Sequence, residues 1–319
     1  MRVLANASSP AGMSETRRWS ERLAVHGVIW RRAIDWIIPN VPAWLHPTLI
    51  FISTLFFFFK AGPARKAVAQ NLKAVLPGSS PFVNQLRAFR TFHNFGWMLT
   101  DAAVHRLLRS EFDYELEGEN YLRDLAASKG AIVLTAHMGN YDLGAAIFAE
   151  KFQREIRMVR APEPDPGAAQ HVDLALEQSS AGAVKVEYSN AGTALSFDLL
   201  AALRKGEIIS IQGDRIVGDV ARAVTPMFGR DVALPSGPFV LSFAAETPIY
   251  PLFIARSGFR KYKIITRQPI FAQRGKGGRD AQIESAMQQW SCVLEETIRR
   301  YWPQWYAFTP IFGDGAADP

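Results

Sequence analysis

From about residue 110 onward, short uncharged or sparsely charged runs rich in Ile, Val and Leu alternate with longer stretches whose apolar residues recur at helical spacing. The runs Tyr114 to Glu117, Ala131 to Ala136, Ile156 to Val159, Val184 to Tyr188, Ile208 to Gln212, Ile249 to Ala255 and Tyr262 to Thr266 read as strands. Ala131 to Ala136 carries no charge, which marks a strand buried on both faces of a parallel sheet. Such alternation predicts an α/β fold, a mostly parallel central sheet flanked by helices, with a helical region N-terminal to it. Gly237 to Glu246 and about Ala281 to Tyr301 read as helices, and the second stops before Pro303 because a proline restricts the residue ahead of it. Pro162 to Pro166, PEPDP, reads as a loop beyond a strand, placed to form a lip over a substrate. No internal repeat is visible. The expected division is a helical region over 1–110, an α/β domain over 111–312 and a tail over 313–319.

The N-terminal region has a different pattern. Between Asp35 and Lys60 lie 24 uncharged residues, positions 36–59, interrupted by Pro39, Pro42 and Pro47. After Pro47 about a dozen apolar residues remain, spanning roughly 18 Å as a helix against a hydrocarbon core of about 30 Å. Shallow, in-plane insertion therefore fits better than a span or a buried soluble helix. Arg31 and Arg32 before the segment and Lys60, Arg65 and Lys66 after it leave no charge asymmetry to orient a span. Residues 1–110 carry 14 Lys and Arg against 4 acids, net +10, and the remainder 22 against 26, net −4. The positive end is thus the one drawn to anionic headgroups or to an acidic partner. Nucleic acid is the rival explanation of the charge, but no binding motif accompanies it. Trp30, Trp36, Trp44 and Trp97 suit headgroup depth and ordinary packing equally. The polar first 20 residues argue against a cleaved signal peptide. The single cysteine, Cys292, falls in an amphipathic helical pattern that suggests a core position, and it excludes an internal disulfide framework.

The densest candidate chemistry lies in Gly130 to Lys151, GAIVLTAHMGNYDLGAAIFAEK. A buried strand delivers His137 into a Gly-Asn turn, and Asp142 opens the next helix. The spacing alone is weak, since about 0.6 such pairs arise by chance in this composition. Ligand sites, however, gather at the carboxyl ends of parallel strands. There a neutral His137 can take a proton from a hydroxyl while Asp142 accepts its other ring N–H. The bland alternative makes Asp142 a complement to the helix dipole. Gly139 lets a substrate approach the backbone, and N–H groups around Gly139 and Asn140 are candidates for stabilising an oxyanion. Arg215 offers a fork for a phosphate, or else an ion pair with Asp214 or Asp219; Arg157, Arg160 and Arg230 are weaker candidates for the same role. Ser236 lacks a nucleophile elbow and reads as a helix cap. His93 and His105 read as packed residues. No Walker motif, GxGxxG fingerprint or His-x-His cluster appears, and Gly275 to Gly278 reads as a basic loop.

Several blocks together resemble the bacterial lipid A biosynthesis acyltransferases, the late acyltransferases within the HxxxxD glycerolipid acyltransferase superfamily. They are His137 with Asp142 in the HxxxxD arrangement, Gly213-Asp214-Arg215, Phe228-Gly229-Arg230 to Leu234-Pro235-Ser236-Gly237-Pro238, and Thr247-Pro248-Ile249-Tyr250-Pro251. The resemblance runs from about Arg87 to Phe312. It implies an enzyme without metal or cofactor that moves a fatty acyl group from a thioester on acyl carrier protein or coenzyme A to a hydroxyl. The acceptor would be a lipid A precursor or a related glycolipid or phospholipid, at the cytoplasmic face of the bacterial inner membrane. Carried over by position, His137 is the general base, Asp142 its orienter, and Asp214 with Arg215 a substrate block, with Gly139, Asn140, Arg160, Arg230 and Ser236 as further substrate contacts. Where the resemblance would place a Trp-x-His-Arg type motif near the C-terminus, this chain reads Pro303-Gln304-Trp305-Tyr306-Ala307-Phe308, which resembles more the relatives that acylate other lipids. Two other classes stay open: a thioesterase or lipid hydrolase using the same pair to activate water, and a non-catalytic membrane-binding protein, favoured only if His137 is unable to reach Asp142 in the fold.

Overall fold

In the computed structural model, which describes residues 28–163, 165–189, 192–272 and 278–312, the chain begins with helices α1 Val28–Asn40, α2 His46–Lys60, α3 Gly62–Val75 and α4 Pro81–Leu108. The prolines set element ends, as their missing N–H requires. Pro39 sits in the last turn of α1, Pro42 precedes a short 3₁₀ turn, and Pro47 lies in the first turn of α2. Ser80 caps α4 by accepting from the Val83 N–H at 3.3 Å, next to Pro81 in the first turn. Residues 1–27, the tail 313–319 and most of the basic loop at Gly275 lie outside the described residues.

The remaining elements are β1 Asp113–Glu117, α5 Glu119–Ala127, β2 Ala131–Thr135, α6 Tyr141–Phe152, β3 Ile156–Arg160, α7 Pro166–Ser180, β4 Val184–Tyr188, α8 Gly192–Arg204, β5 Ile208–Gln212, β6 Arg222–Met227, β7 Arg230–Pro235, α9 Gly237–Ala245, β8 Ile249–Gly258, β9 Lys261–Thr266 and α10 Gly278–Tyr301. Seven strands form one sheet in the order β1-β9-β8-β2-β5-β3-β4, parallel throughout except for the β8–β9 hairpin. The expected α/β architecture and all seven expected strands are present. Along β2, Ala131 and Val133 join one core cluster while Ile132 and Leu134 join the other. This strand is central and covered on both faces, which is why its sequence lacks polar alternation. Trp290 of α10 anchors one side, stacking on Phe253 with 5.7 Å between ring centroids and donating its indole N–H to the Gly213 carbonyl at 3.0 Å.

Three local readings change. A second, two-stranded sheet joins β6 to β7 through a turn at Phe228 and Gly229, both with positive φ. The sequence hides it because Pro226 and Pro235 lie within its strands and a Phe occupies a turn position usually held by Gly or Asn. Pro166 starts α7 instead of belonging to a loop, with Asp165 capping the Gly167 N–H at 2.8 Å. Cys292 is exposed, on the solvent side of α10.

Candidate functional site

The register of two neighbouring strands builds the site. Thr135, the last residue of β2, pairs with Gln212, the last residue of β5. The pairing continues one step further, as the Gly213 N–H donates to the Thr135 carbonyl at 2.8 Å. His137 and Asp214 each lie two residues beyond their strand, so parallel register brings them side by side at the carboxyl edge of the sheet. Asp214 Oδ1 lies 2.7 Å from His137 Nδ1 and accepts the His137 backbone N–H at 3.1 Å. Its other oxygen, Oδ2, accepts the Trp305 indole N–H at 2.9 Å. The carboxylate is wholly buried, yet three donors hold it.

Electrostatics follow from that geometry. Burial opposes the Asp214 charge, but His137, Arg215 and the Trp305 N–H outweigh it and keep the carboxyl far below its ordinary range. Burial, then the Arg215 cation, lowers the His137 pKa, and Asp214 only partly offsets them. The pair therefore rests as an ionised Asp214 and a neutral imidazole, with the proton on Nδ1 and Nε2 left as the basic nitrogen.

Asp142 does not hold His137. The chain turns sharply at Gly139, φ 58°, where a Cβ would lie 1.5 Å from the Ile254 carbonyl oxygen. Asp142 then emerges in the first turn of α6 and accepts from Arg160 Nη1 at 3.0 Å, at the end of β3. The orienting carboxylate assigned from five-residue spacing thus comes instead from 77 residues downstream. Gly139 is also reassigned. The Gly139 N–H donates to the Gln304 carbonyl at 2.9 Å, so it is unavailable to an oxyanion. Asn140 is fully buried; its side chain caps α6 at the Leu143 N–H and donates to the Met98 carbonyl.

Arg215 lies next to the pair and donates to the Tyr306 carbonyl at 2.7 Å instead of pairing with Asp219. Arg160 borders the site through Asp142. Arg157 is engaged by Glu187 and Glu207. Arg230 is exposed at the start of β7, and no hydrogen bond among the described residues links it to His137. Ser236 occupies the N-cap position of α9, but its backbone is already helical and its side chain makes no capping bond; its carbonyl serves the turn. Thr247 to Pro251 leads into β8, whose Ile249 pairs with Ile132 of β2, so this block is structural support.

The segment Trp302 to Phe308 was not singled out as functional by sequence, and it laces the site together. Tyr306 donates its backbone N–H to the His137 carbonyl at 2.8 Å, and Met138 and Trp305 form an isolated antiparallel bridge. No local pattern marks such a strap; only a fully buried indole after Pro303 distinguishes it. Beside Tyr141, whose ring centroid is 6.0 Å from that of His137, a cavity of about 140 Å³ opens between α4, α6 and α7. Phe95, Met98, Leu99, Ala102 and Leu176 give it an apolar wall, and Arg31, Asp35, Arg106, Asp142, Arg160 and Glu163 give it a charged one.

Comparison with family models matches residues 18–312 to the family described as bacterial lipid A biosynthesis acyltransferase. No curated protein matches the chain.

Proposed function

Because the chain belongs to the bacterial lipid A biosynthesis acyltransferase family, we propose that it transfers a fatty acyl group from a thioester, on acyl carrier protein or coenzyme A, to a hydroxyl of a lipid A precursor or related glycolipid or phospholipid at the cytoplasmic face of the inner membrane. The observation that carries the reading is the neutral His137 held at Nδ1 by an ionised, buried Asp214. His137 Nε2 removes the acceptor hydroxyl proton as its oxygen attacks the thioester carbonyl. Asp214 stabilises the imidazolium that forms. The tetrahedral intermediate then collapses by breaking the C–S bond, and the imidazolium proton goes to the leaving thiolate. The apolar wall of the cavity beside Tyr141 suits the first methylenes of the acyl chain. Failure of His137 to meet Asp142 does not favour a purely binding role, since Asp214 provides the carboxylate the chemistry requires.

The N-terminal helices suit membrane association. Ala43–Lys60 is the stretch among the described residues that is long and apolar enough to cross a membrane, with a mean hydropathy of 1.4, yet its 15-residue helix rises only about 22 Å. It is read as lying in the interface plane.

The direct test is mass spectrometry of a reaction containing purified protein, an acyl thioester and a lipid A precursor. Transfer adds one acyl group to the acceptor; release of free fatty acid without acceptor acylation would overturn the reading in favour of hydrolysis.

Trp305→Phe is expected to isolate one bond of the site. It keeps most of the packing but removes the N–H on Asp214 Oδ2, so kcat falls by about tenfold or more. With its anion less stabilised, Asp214 attracts the imidazolium proton more strongly. The pair then takes up its proton at higher pH, and the acid limb of the pH–rate profile moves upward. An unchanged profile would assign Trp305 to packing alone.

A further inference from the structure

Residues 36–100 contain no Asp or Glu and carry six Lys and Arg, a composition that repels nothing anionic. On α4, Phe82, Leu86, Phe89, His93 and Trp97 recur at steps of four, three, four and four and so line one helix face. Phe82 is 72% exposed and Leu86 54%. This stripe meets α2 where Phe51 packs edge-on against Phe89 and His93, with centroids 5.8 and 6.3 Å apart. The exposed side of α2 adds Ile52, Leu55, Phe56 and Phe59.

At the other end, the stripe meets a segment remote in sequence. The turn between β8 and β9 consists of Phe259 and Arg260, and Arg260 takes a positive φ of 52°. Phe259 is 60% exposed, with its ring set edge-on to Trp97 at 6.4 Å. The Arg260 guanidinium lies over the Phe259 ring, and the Arg256 guanidinium over Trp97 at 4.2 Å. A hairpin tip has no folding need for an exposed Phe, and a short polar turn would close it equally well. An exposed ring under the Arg260 guanidinium, continuous with the acid-free apolar face of α2 and α4, suits the headgroup zone of an anionic bilayer, while Arg256 is engaged by Asp101 at 3.0 Å and Asp113 accompanies Lys261 at 3.7 Å.

We propose that the Phe259–Arg260 tip is a second membrane contact, which inserts its ring into the interface of an anionic phospholipid bilayer beside α2 and the α4 stripe. The proposal rests on the membrane-association reading above and extends it from the N-terminal helices to the catalytic sheet. The Gln304 side chain bonds both the backbone N–H and the carbonyl of Arg256, at 2.7 and 2.8 Å, and the Gln304 carbonyl accepts from the Gly139 N–H. Docking of the tip therefore orients the turn that bears His137 relative to the membrane plane.

The test uses the full chain in flotation with vesicles of phosphatidylcholine plus phosphatidylglycerol and with vesicles of phosphatidylcholine alone. Phe259→Asp is expected to reduce partitioning onto the anionic vesicles by about tenfold, Arg260→Glu to reduce it less, and Phe259→Trp to preserve it. Transfer to a detergent-solubilised acceptor should be unchanged in all three, which also shows that they fold. Failure of the wild type to float would overturn the membrane reading itself. Wild-type binding lost in Phe56→Asp but retained in Phe259→Asp would leave that reading standing and overturn the hairpin contact. Loss of affinity for an acidic acyl carrier protein with vesicle binding intact would also overturn it, by making the tip a carrier-docking element.

Discussion

His137→Ala is expected to lower kcat/KM for acyl transfer by about 10²–10⁴-fold, the range over which a positioned general base contributes. The whole effect should appear in turnover rather than in acceptor KM, because the imidazole acts on a proton that moves only in the transition state. Folding should survive. The substitution removes a side chain that is 16% exposed and leaves Asp214 held by the Trp305 indole, the residue-137 backbone N–H and the nearby Arg215 charge. Loss of one donor to a buried carboxylate costs about 1–3 kcal/mol, which thermal unfolding would register as a modest decrease in Tm.

Asp214→Asn gives the second large effect and separates the two candidate carboxylates. An amide at 214 lacks the charge that stabilises the imidazolium and can present an N–H where Nδ1 needs an acceptor, so kcat/KM should fall by about 10²–10⁴-fold. Asp142→Asn should change it by about fivefold or less. Asp142 pairs with Arg160 at 3.0 Å and makes no bond to the His137 imidazole, so the amide removes an ion pair that the proton transfer does not use. Equal losses in the two variants would show that the HxxxxD spacing, rather than the strand register, defines the pair.

That contrast also shows what a single sequence discloses. The strands were legible because each is an apolar run bounded by turn residues, and Ala131 to Thr135 is so apolar that its central place could be read directly. His137 was legible because it follows such a strand. Its partner was not, because Thr135 and Gln212 become neighbours only when β2 and β5 pair, and nothing local records that register. A five-residue spacing was visible and suggested Asp142; the turn at Gly139 and the cation at the end of β3 send that carboxylate to Arg160 instead. In the sequence, Asp214 reads as part of a substrate block or as an ion-pair partner of Arg215. The strap around Trp305 was illegible for the same reason, since its bonds to His137, Arg215 and Asp214 join residues 91 or more positions apart. The β6–β7 hairpin was missed through its chemistry, two prolines in the strands and a Phe in the turn.

A double-substitution cycle tests the central claim most directly: kcat/KM of acyl transfer for wild type, His137→Ala, Asp214→Asn and the combination. If Asp214 acts by holding His137, the combined variant is no slower than His137→Ala alone, since the carboxylate has no base left to orient. Losses that multiply would contradict the account, because Asp214 would then be contributing to transfer independently of His137.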